Sequence, residues 1–565
     1  MPYVNGIYFS SPGAKVAVND QNFQAPPNVG GQGVLLIGPV TDGQPNTPLS
    51  FSTPAQALAT LKGGDGLQGV LLAFSGASKA GGSTNITFIR PELAMQATST
   101  IASSSAVSQI VLTTLSYGTV ANSSKWQVTA GTTGYNVSIG SDFAFYGASA
   151  TAPTSVSNLS LAPISIQYTG TGASPTYTVS DSELVLTATG SDTGGTIPFT
   201  STMTVQQLVN QINQLTGWVA TVTDPNPNDL VEALFDNVAT ATAVGTTSAT
   251  SLTANVTAAV RWINAQGQYF TATRQAGAAS LAASSTWTYA TGGTTPTAAN
   301  SDWQNAYTTA QSVTGIGLIT PVSSTASLWA MNDAHCQYMA SIGQPRRGYV
   351  GDASGQTLAT ELTAASTLNS NRTTLVWPEQ YEIDYNGNNT LMAPYLVACV
   401  VMGERSATVP YNALTQQPIV SQGMGITVAP SVVGQALSGG IAVIAPNQSG
   451  TVVLQQDRTT WLQNTAYDKV ENSTGMVADI ITSDLQSVLQ TFVGKPVANT
   501  TVAQATSAVY ARLVSWSAQG FLASEPKLSD VSLQGQGDTI VGTAQAAIDV
   551  PANYIALQLY PTALS

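Results

Sequence analysis

Apolar residues in the first ninety positions fall into short runs that switch between two periods. Val34-Leu35-Leu36-Ile37 is continuous and is stopped by Gly38-Pro39, the mark of a strand buried on both faces. Ser52-Thr53-Pro54 then predicts a helix start, with Ala55, Leu58, Ala59 and Leu61 on one face. Leu67, Val70, Leu71 and Phe74 predict a second helix, and Ile86–Ile89 before Arg90-Pro91 a second strand. Strand, helix, helix, strand is the beginning of an α/β layer. The same texture resumes at Gly315–Pro321, continues through a helical pattern at Leu328–Ile342, and returns as strands at Arg347–Gly351 and Thr374–Pro378. Between the two blocks, short β-rich runs such as Val107–Leu112 and Leu184–Ala188 alternate with Gly/Ser/Thr/Asn turns. One helix is expected there, Val205–Leu215, with Leu208, Val209 and Ile212 as its stripe.

Both ends of the chain read as strands without a partner. Ser11–Val18 alternates Ala14, Val16 and Val18 with Lys15, behind a Pro12-Gly13 swivel. Pro551–Tyr560 alternates again through Tyr554, Ile555, Leu557 and Leu559. Such a strand docks on its own sheet or completes a neighbour's, and the second fate makes a polymer. The expected fold is therefore α+β or α/β and multidomain, with mixed-sheet core domains, an inserted β-rich outer part, and extended terminal arms. The texture divides the chain into an arm (1–28), a first core part (29–93), the insertion (94–305), a second core part (306–440), a C-terminal domain (441–547) and a final strand (548–565).

Composition narrows the function. Of 565 residues only 8% are charged, against roughly 25% in an average globular protein. Mean hydropathy is just +0.11, so small polar residues replace the charges, which suits dense packing of copies. A net charge of −13 with 16 Lys and Arg argues against a nucleic-acid face, which has to be basic. No apolar run is long enough to span a bilayer. Met1–Asn5 lacks the basic residues and apolar stretch of a signal peptide, so synthesis and folding in a cytoplasm are expected.

Candidate chemistry is sparse. His335 is the only histidine, and beside Asp333 and Cys336 it reads as a helix-face residue next to a core thiol. Cys336 and Cys399 are expected as buried small hydrophobes. Gly31-Gln32-Gly33 precedes its strand instead of following it, and Gly494-Lys495-Pro496 lacks the rest of a phosphate loop. Asp384–Asn388 resembles a calcium loop out of register and is better read as a hairpin turn. Asp479 and Asp484 fall on a helix and are expected to be solvated or interfacial. No catalytic set, metal or cofactor is implied, and the chain reads as a non-enzyme.

The C-terminal third carries a family resemblance. Gly450–Leu454 followed by Arg458-Thr459-Thr460 resembles the strand and Arg-x-Thr-Thr turn of contractile tail sheath proteins. The helix Ala478–Leu489 leads into Phe492-Val493-Gly494-Lys495, similar to that family's Phe-[Ile/Val]-Gly-Lys motif. A helix over Thr501–Gln519 follows, capped by Gly520, and Pro551–Ile555 resembles the family's last strand. Ser11-Pro12-Gly13, Leu36–Val40 with Thr47-Pro48, and Pro394–Ala398 are similar to its N-terminal and middle segments. Ala14-Lys15-Val16 departs from the usual Val-Tyr pair, and Met402-Gly403 from Ala-Gly. The resemblance covers about 1–92 and 310–565.

It implies a virion subunit that forms hexameric rings stacked helically around a tail tube, contracting to drive the tube through a host envelope. Implied partners are further copies, the tube protein, and baseplate and terminator proteins, with no direct nucleic-acid contact and no membrane insertion. Pro12, Gly13, Val16, Val18, Tyr554, Ile555, Leu557 and Leu559 would act in strand donation between subunits. Asp479, Asp484, Gln486 and Lys495 would face the tube. A passive surface-layer or capsid-decorating array protein is the alternative, and a hydrolase or adhesin acting through the insertion a third reading.

Overall fold

The computed structural model describes residues 32–75, 82–144, 150–190 and 194–553, together with a short hairpin of Tyr3–Val4 against Ile7–Tyr8. Its centre is an eight-stranded sheet built, in chain order, from β1 (Gly33–Ile37), β2 (Leu49–Phe51), β3 (Ile86–Ile89), β4 (Ile316–Pro321), β5 (Arg347–Val350), β6 (Thr373–Trp377), β7 (Ile441–Pro446) and β8 (Val452–Leu454). The spatial order is β8-β7-β6-β5-β4-β1-β3-β2. The six inner strands run parallel, and β2 and β8 close the two edges antiparallel.

A parallel sheet is covered on both faces, because each crossover lays a helix on it. The covering helices are α1 (Pro54–Leu61), α2 (Asp65–Ser75), α3 (Asn300–Gln311), α4 (Ala326–Ser341), α5 (Leu358–Leu368), α6 (Pro394–Ala407) and α7 (Pro430–Ser438). The strand period of two sorts the side chains. Val34, Leu36, Phe88, Tyr349, Val376 and Ile444 face one core with α1, α2 and α6. Leu35, Ile37, Ile89 and Ile319 face α3 and α4 on the other side, where Leu375, Trp377 and Val443 meet α5 and α7. Thr53 caps α1 with Pro54 in the first turn, as its sequence predicts. Helices α2 and α6 approach closely at Gly403, where an added Cβ would collide with the Ala73 carbonyl.

The insertion leaves after β3 and returns before α3, and its two ends meet: Met95 N donates to Thr294 O at 2.9 Å. It holds two separate cores. One packs Ile110, Leu112, Trp126, Val128 and Ile139 against a helix at Asn255–Gln266, and the other packs Ile164, Tyr168, Leu184, Leu186 and Trp218 around Val205–Ile212. Three sequence expectations are corrected here. The insertion contains the Asn255–Gln266 helix as well as the single helix foreseen. The boundary at 305 cuts through α3, whose Trp303, Ala306, Tyr307 and Ala310 belong to the central core. The boundary at 440 separates β7 and β8 from the sheet they complete.

Because the ends at Met95 and Thr294 are already adjacent, replacing 96–293 with a short Gly/Ser linker should leave the central sheet folded. Retention of the helical circular-dichroism signal expected for the remaining residues checks this. Aggregation with loss of that signal would show that the insertion holds the core together.

The C-terminal domain packs α8 (Asn472–Gln490) against α9 (Asn499–Ala518) through Val477, Ile481, Val509, Leu513 and Trp516. Gly520 follows α9 at φ +82°, a left-handed position suited to glycine. The chain then forms a hairpin, Val531–Gln536 with Thr539–Ala544.

Candidate assembly surfaces

The C-terminal domain is fastened to the central sheet by charge as well as by apolar contact. Arg347, at the start of β5, donates Nε to Asp479 Oδ2 at 3.0 Å, and Arg372 donates both of its terminal nitrogens to the same carboxylate at 3.0 and 2.9 Å. Two turns nearer the start of α8, at its first residue, Asn472 Nδ2 donates to Thr374 Oγ1 at 2.6 Å and to Asp457 Oδ1 at 3.0 Å. Asp457 in turn holds Arg405 of α6 at 3.1 Å, with neither side chain exposed. The terminal nitrogens of Arg405 also donate to the carbonyls of Thr408, Val409 and Asn412. The Arg458-Thr459-Thr460 turn adds backbone ties: Arg458 donates to Leu437 O, and Thr460 N to Thr373 O at 2.9 Å. Such forked arginine–carboxylate pairs fix orientation as well as distance.

This geometry changes the reading of the four residues expected on an outer helical face. Asp479 is not solvated, since its carboxylate is shared by two arginines and its side chain is 16% exposed. Asp484 is also turned inward, accepting from Arg512 on α9 and from Trp516 Nε1 at 2.7 Å. Gln486 is exposed beside Gly343, and Lys495 is exposed with its ammonium 4.6 Å from the Phe492 ring centre. The structure therefore separates two exposed candidates from two that act inside the chain. Arg347, Arg372 and Arg512 were missed as their partners. The one signal for them was the scarcity of basic residues, which makes each arginine valuable to a buried carboxylate.

The hairpin at 531–544 is the other notable surface. It is a two-stranded sheet with no third strand among the described residues, and apart from Val531, which is buried, its residues are half-buried or exposed. An isolated two-stranded hairpin is marginal in water and gains from an added strand. The chain beyond it is fastened to the domain, with Ala523 N on Ala547 O at 2.7 Å and Asn553 Nδ2 on Glu471 Oε2 at 3.0 Å. Pro12, Gly13, Val16, Val18, Tyr554, Ile555, Leu557 and Leu559 lie outside the described residues.

The other residues singled out in the sequence have structural places. His335 is buried with Nε2 2.9 Å from Arg346 Nη1, and burial plus that guanidinium push its pKa down to about 4. Burial raises both thiols, which are unpaired. Asp384 accepts from the backbone of Asn386 and Asn388 in a turn between Gln380–Ile383 and Asn389–Met392, as a hairpin turn requires. Among the described residues no group of acidic, His or Cys side chains is arranged to hold a metal, and no helix is long and apolar enough to cross a membrane.

As a whole, this fold is similar to that of solved sheath tail proteins. The chain matches the sheath tail protein of Desulfitobacterium hafniense with a TM-score of 0.56, covering 94% of this chain and 96% of that one at 13% identity. It matches the sheath tail protein of Listeria innocua with a TM-score of 0.55, covering 92% of each chain, also at 13% identity. In sequence it is 26% identical over 182 residues to the tail sheath protein of Bacillus phage SP01. That stretch is 31% of this chain and 31% of the relative, so the similarity spans about a third of the curated protein it matches. No protein-family model matches the chain.

Proposed function

We propose that the chain is the structural subunit of a contractile tail sheath, polymerising as stacked hexameric rings around a tail tube and shortening to drive the tube through a cell envelope. The observation that carries this reading is the 531–544 hairpin, an open acceptor of strands on a chain whose two ends both have strand patterns. Each subunit would offer its hairpin to the arms of its neighbours, through Val16 and Val18 at one end and Tyr554, Ile555, Leu557 and Leu559 at the other. Pro12-Gly13 would act as the swivel that absorbs motion while pairing persists. Gln486 on α8 and Lys495 in the turn that follows it would face the tube, with the pose of α8 fixed from behind by Asp479 and Asp484. Baseplate and terminator proteins would meet the two ends of the polymer in the virion, with no cofactor and no catalytic step. The insertion would point outward.

Truncation after Asn553 tests the reading, because it removes one donor strand and spares the Asn553–Glu471 contact. Full-length protein should form hollow tubes in negative-stain micrographs, and the truncated protein should stay folded and monomeric. Tubes from the truncated protein would overturn strand donation from this end. Flat two-dimensional sheets from the full-length protein would favour a passive array subunit.

A further inference from the structure

Arg346 stands in the turn between α4 and β5 and is 1% exposed. Its Nη1 donates to Ala310 O and meets His335 Nε2, both at 2.9 Å, and its Nη2 donates to Val313 O at 2.7 Å. Its Nε has no partner. The two carbonyls lie at the end of α3 and supply only a partial negative charge. A guanidinium donates and never accepts, so His335 Nε2 is the acceptor, and that imidazole, with its pKa at about 4, is neutral. Arg90, Arg347 and Arg405 are similarly buried, and each holds a carboxylate. Among the described residues Arg346 has none. Burial pulls its pKa down only to about 10, which leaves it charged at neutral pH. A buried charge without a counter-charge is costly, and buried charges are paired as a rule.

Arg346 lines a cleft of about 650 Å³ between the central sheet and the C-terminal domain. Ala310 and His335, the partners of Nη1, are not on its walls, whereas Val313, the partner of Nη2, is. The Nη2 side of the guanidinium, with Nε beside it, is therefore the side turned to the cleft. Across from it, Asp484 is committed to Nε and Nη2 of Arg512 and to Trp516 Nε1. Arg346, Arg512 and Asp484 are the charged groups on the walls, so the cleft carries a net positive charge inside a chain of net charge −13.

We propose that this cleft is a site for one carboxylate, which accepts from Nε and Nη2 of Arg346 with the hydroxyls of Thr314 and Ser487 on the walls around it. The chemistry of the arginine selects the ligand. The Nε–Nη2 edge of a guanidinium matches a planar, two-oxygen anion, and Arg512 already holds Asp484 in that way. One uncompensated positive charge takes one negative charge. A bound carboxylate links the α4–β5 turn to the wall that α8 provides, and so adds a second fastening beside the Arg347–Asp479–Arg372 cluster. A free small acid and an acidic side chain of a second copy present the same group, and the test separates the two.

The test follows thermal unfolding of the full chain with sodium acetate added to about 50 mM, the ionic strength being held constant with sodium chloride. The site predicts a rise in Tm that saturates, half-complete at about 1 mM and reaching about 2 °C at the plateau. Arg346→Met should abolish the saturable rise. Because that change also frees the carbonyls of α3, Gln344→Glu gives a second answer. Gln344 lines the cleft two residues before Arg346, and glutamate there keeps the shape while supplying the carboxylate from within the chain. This variant should unfold above the wild type in chloride alone and lose most of the response to acetate. An absent or merely linear acetate effect on the wild type overturns the proposal, as does a full saturable response in either variant. Pelleting of the wild type then identifies the source. If a second copy fills the site, acetate in the same range should raise the critical concentration about tenfold or more. If a free acid fills it, polymerisation should hold while the thermal response remains. A chain that forms no tubes under any condition sinks the sheath reading, and the thermal measurement still decides the site.

Discussion

Replacing Asp457 with alanine should cost about 3–5 kcal/mol of stability, the range for breaking a buried ion pair by removing one partner. Its carboxylate accepts from Arg405 Nη1, from Asn472 Nδ2 at 3.0 Å and from the Leu414 backbone at 3.3 Å, and neither Asp457 nor Arg405 reaches solvent. Alanine leaves a guanidinium buried without a counter-charge and frees the start of α8 from the sheet. Asp457→Asn keeps an acceptor for two of the donors and should lose less. Arg405→Met in the Asp457→Ala background should recover part of the loss, since an apolar replacement of the whole pair removes the stranded charge. Thermal and urea unfolding of the three variants decide it. A loss under about 1 kcal/mol for Asp457→Ala would place the fastening of the C-terminal domain in its apolar contacts instead.

The second large effect depends on pH. Glu361 in the first turn of α5 is fully buried and neither carboxyl oxygen has a hydrogen-bond partner. Burial first, and then the charges of Asp352 and Glu379, raise its pKa from 4.5 to about 8. A carboxyl raised on folding keeps a proton that the unfolded chain has released. Its stabilising effect is complete below about pH 4.5 and is lost as pH climbs towards 8, on the order of 3–5 kcal/mol in total. Glu382, raised to about 8 by burial alone, acts in the same direction. Glu361→Gln removes the titration while keeping the shape. Its advantage over the wild type should be near zero at pH 4.5 and should grow steadily to pH 8.5 in thermal unfolding. An advantage that stays constant with pH would mean that Glu361 is ionised in the fold.

The parallel core was largely legible before any coordinates. Strands buried on both faces are rich in apolar and β-branched residues: β1 holds the unbroken run Val34–Ile37, β3, β4 and β6 break theirs only with Thr or Gly, and β5 is marked by Tyr349-Val350 between glycines. The Thr53-Pro54 start of α1 is read from capping chemistry alone. Helix α3 is harder to read because its buried residues, Trp303, Ala306, Tyr307 and Ala310, are embedded in Asn, Ser, Asp, Gln and Thr. The assignment of β7 to the C-terminal domain failed because sheet membership is set by pairing with β6, which lies 64 residues earlier between Trp377 and Ile441. The acidic pair on α8 was placed on a helix but not on the right side of it. Its partners are 107 and 132 residues away for Asp479, and 28 and 32 for Asp484, and no local periodicity reports a contact at that range. The 531–544 hairpin was not foreseen as a separate element, because Gly535, Gln536, Gly537 and Asp538 interrupt the alternation.

The neck of the insertion has a mechanical consequence. Its two chains run antiparallel through the Met95–Thr294 pair and continue to Thr98 opposite Thr291. A pull on the insertion along the neck draws both strands the same way, so the bonds between them carry little of it. The load passes down the two covalent strands, into β3 through Arg90 and into α3 beyond Thr294, and side ties at Tyr117 N to Asp42 Oδ1, 2.6 Å, and Lys62 Nζ to Ser116 Oγ, 2.7 Å, share it. A sideways force that parts the two strands opens their bonds one after another, as in a zipper. The lobes of the insertion are thus mounted on a bracket that is stiff to tension and soft to splaying.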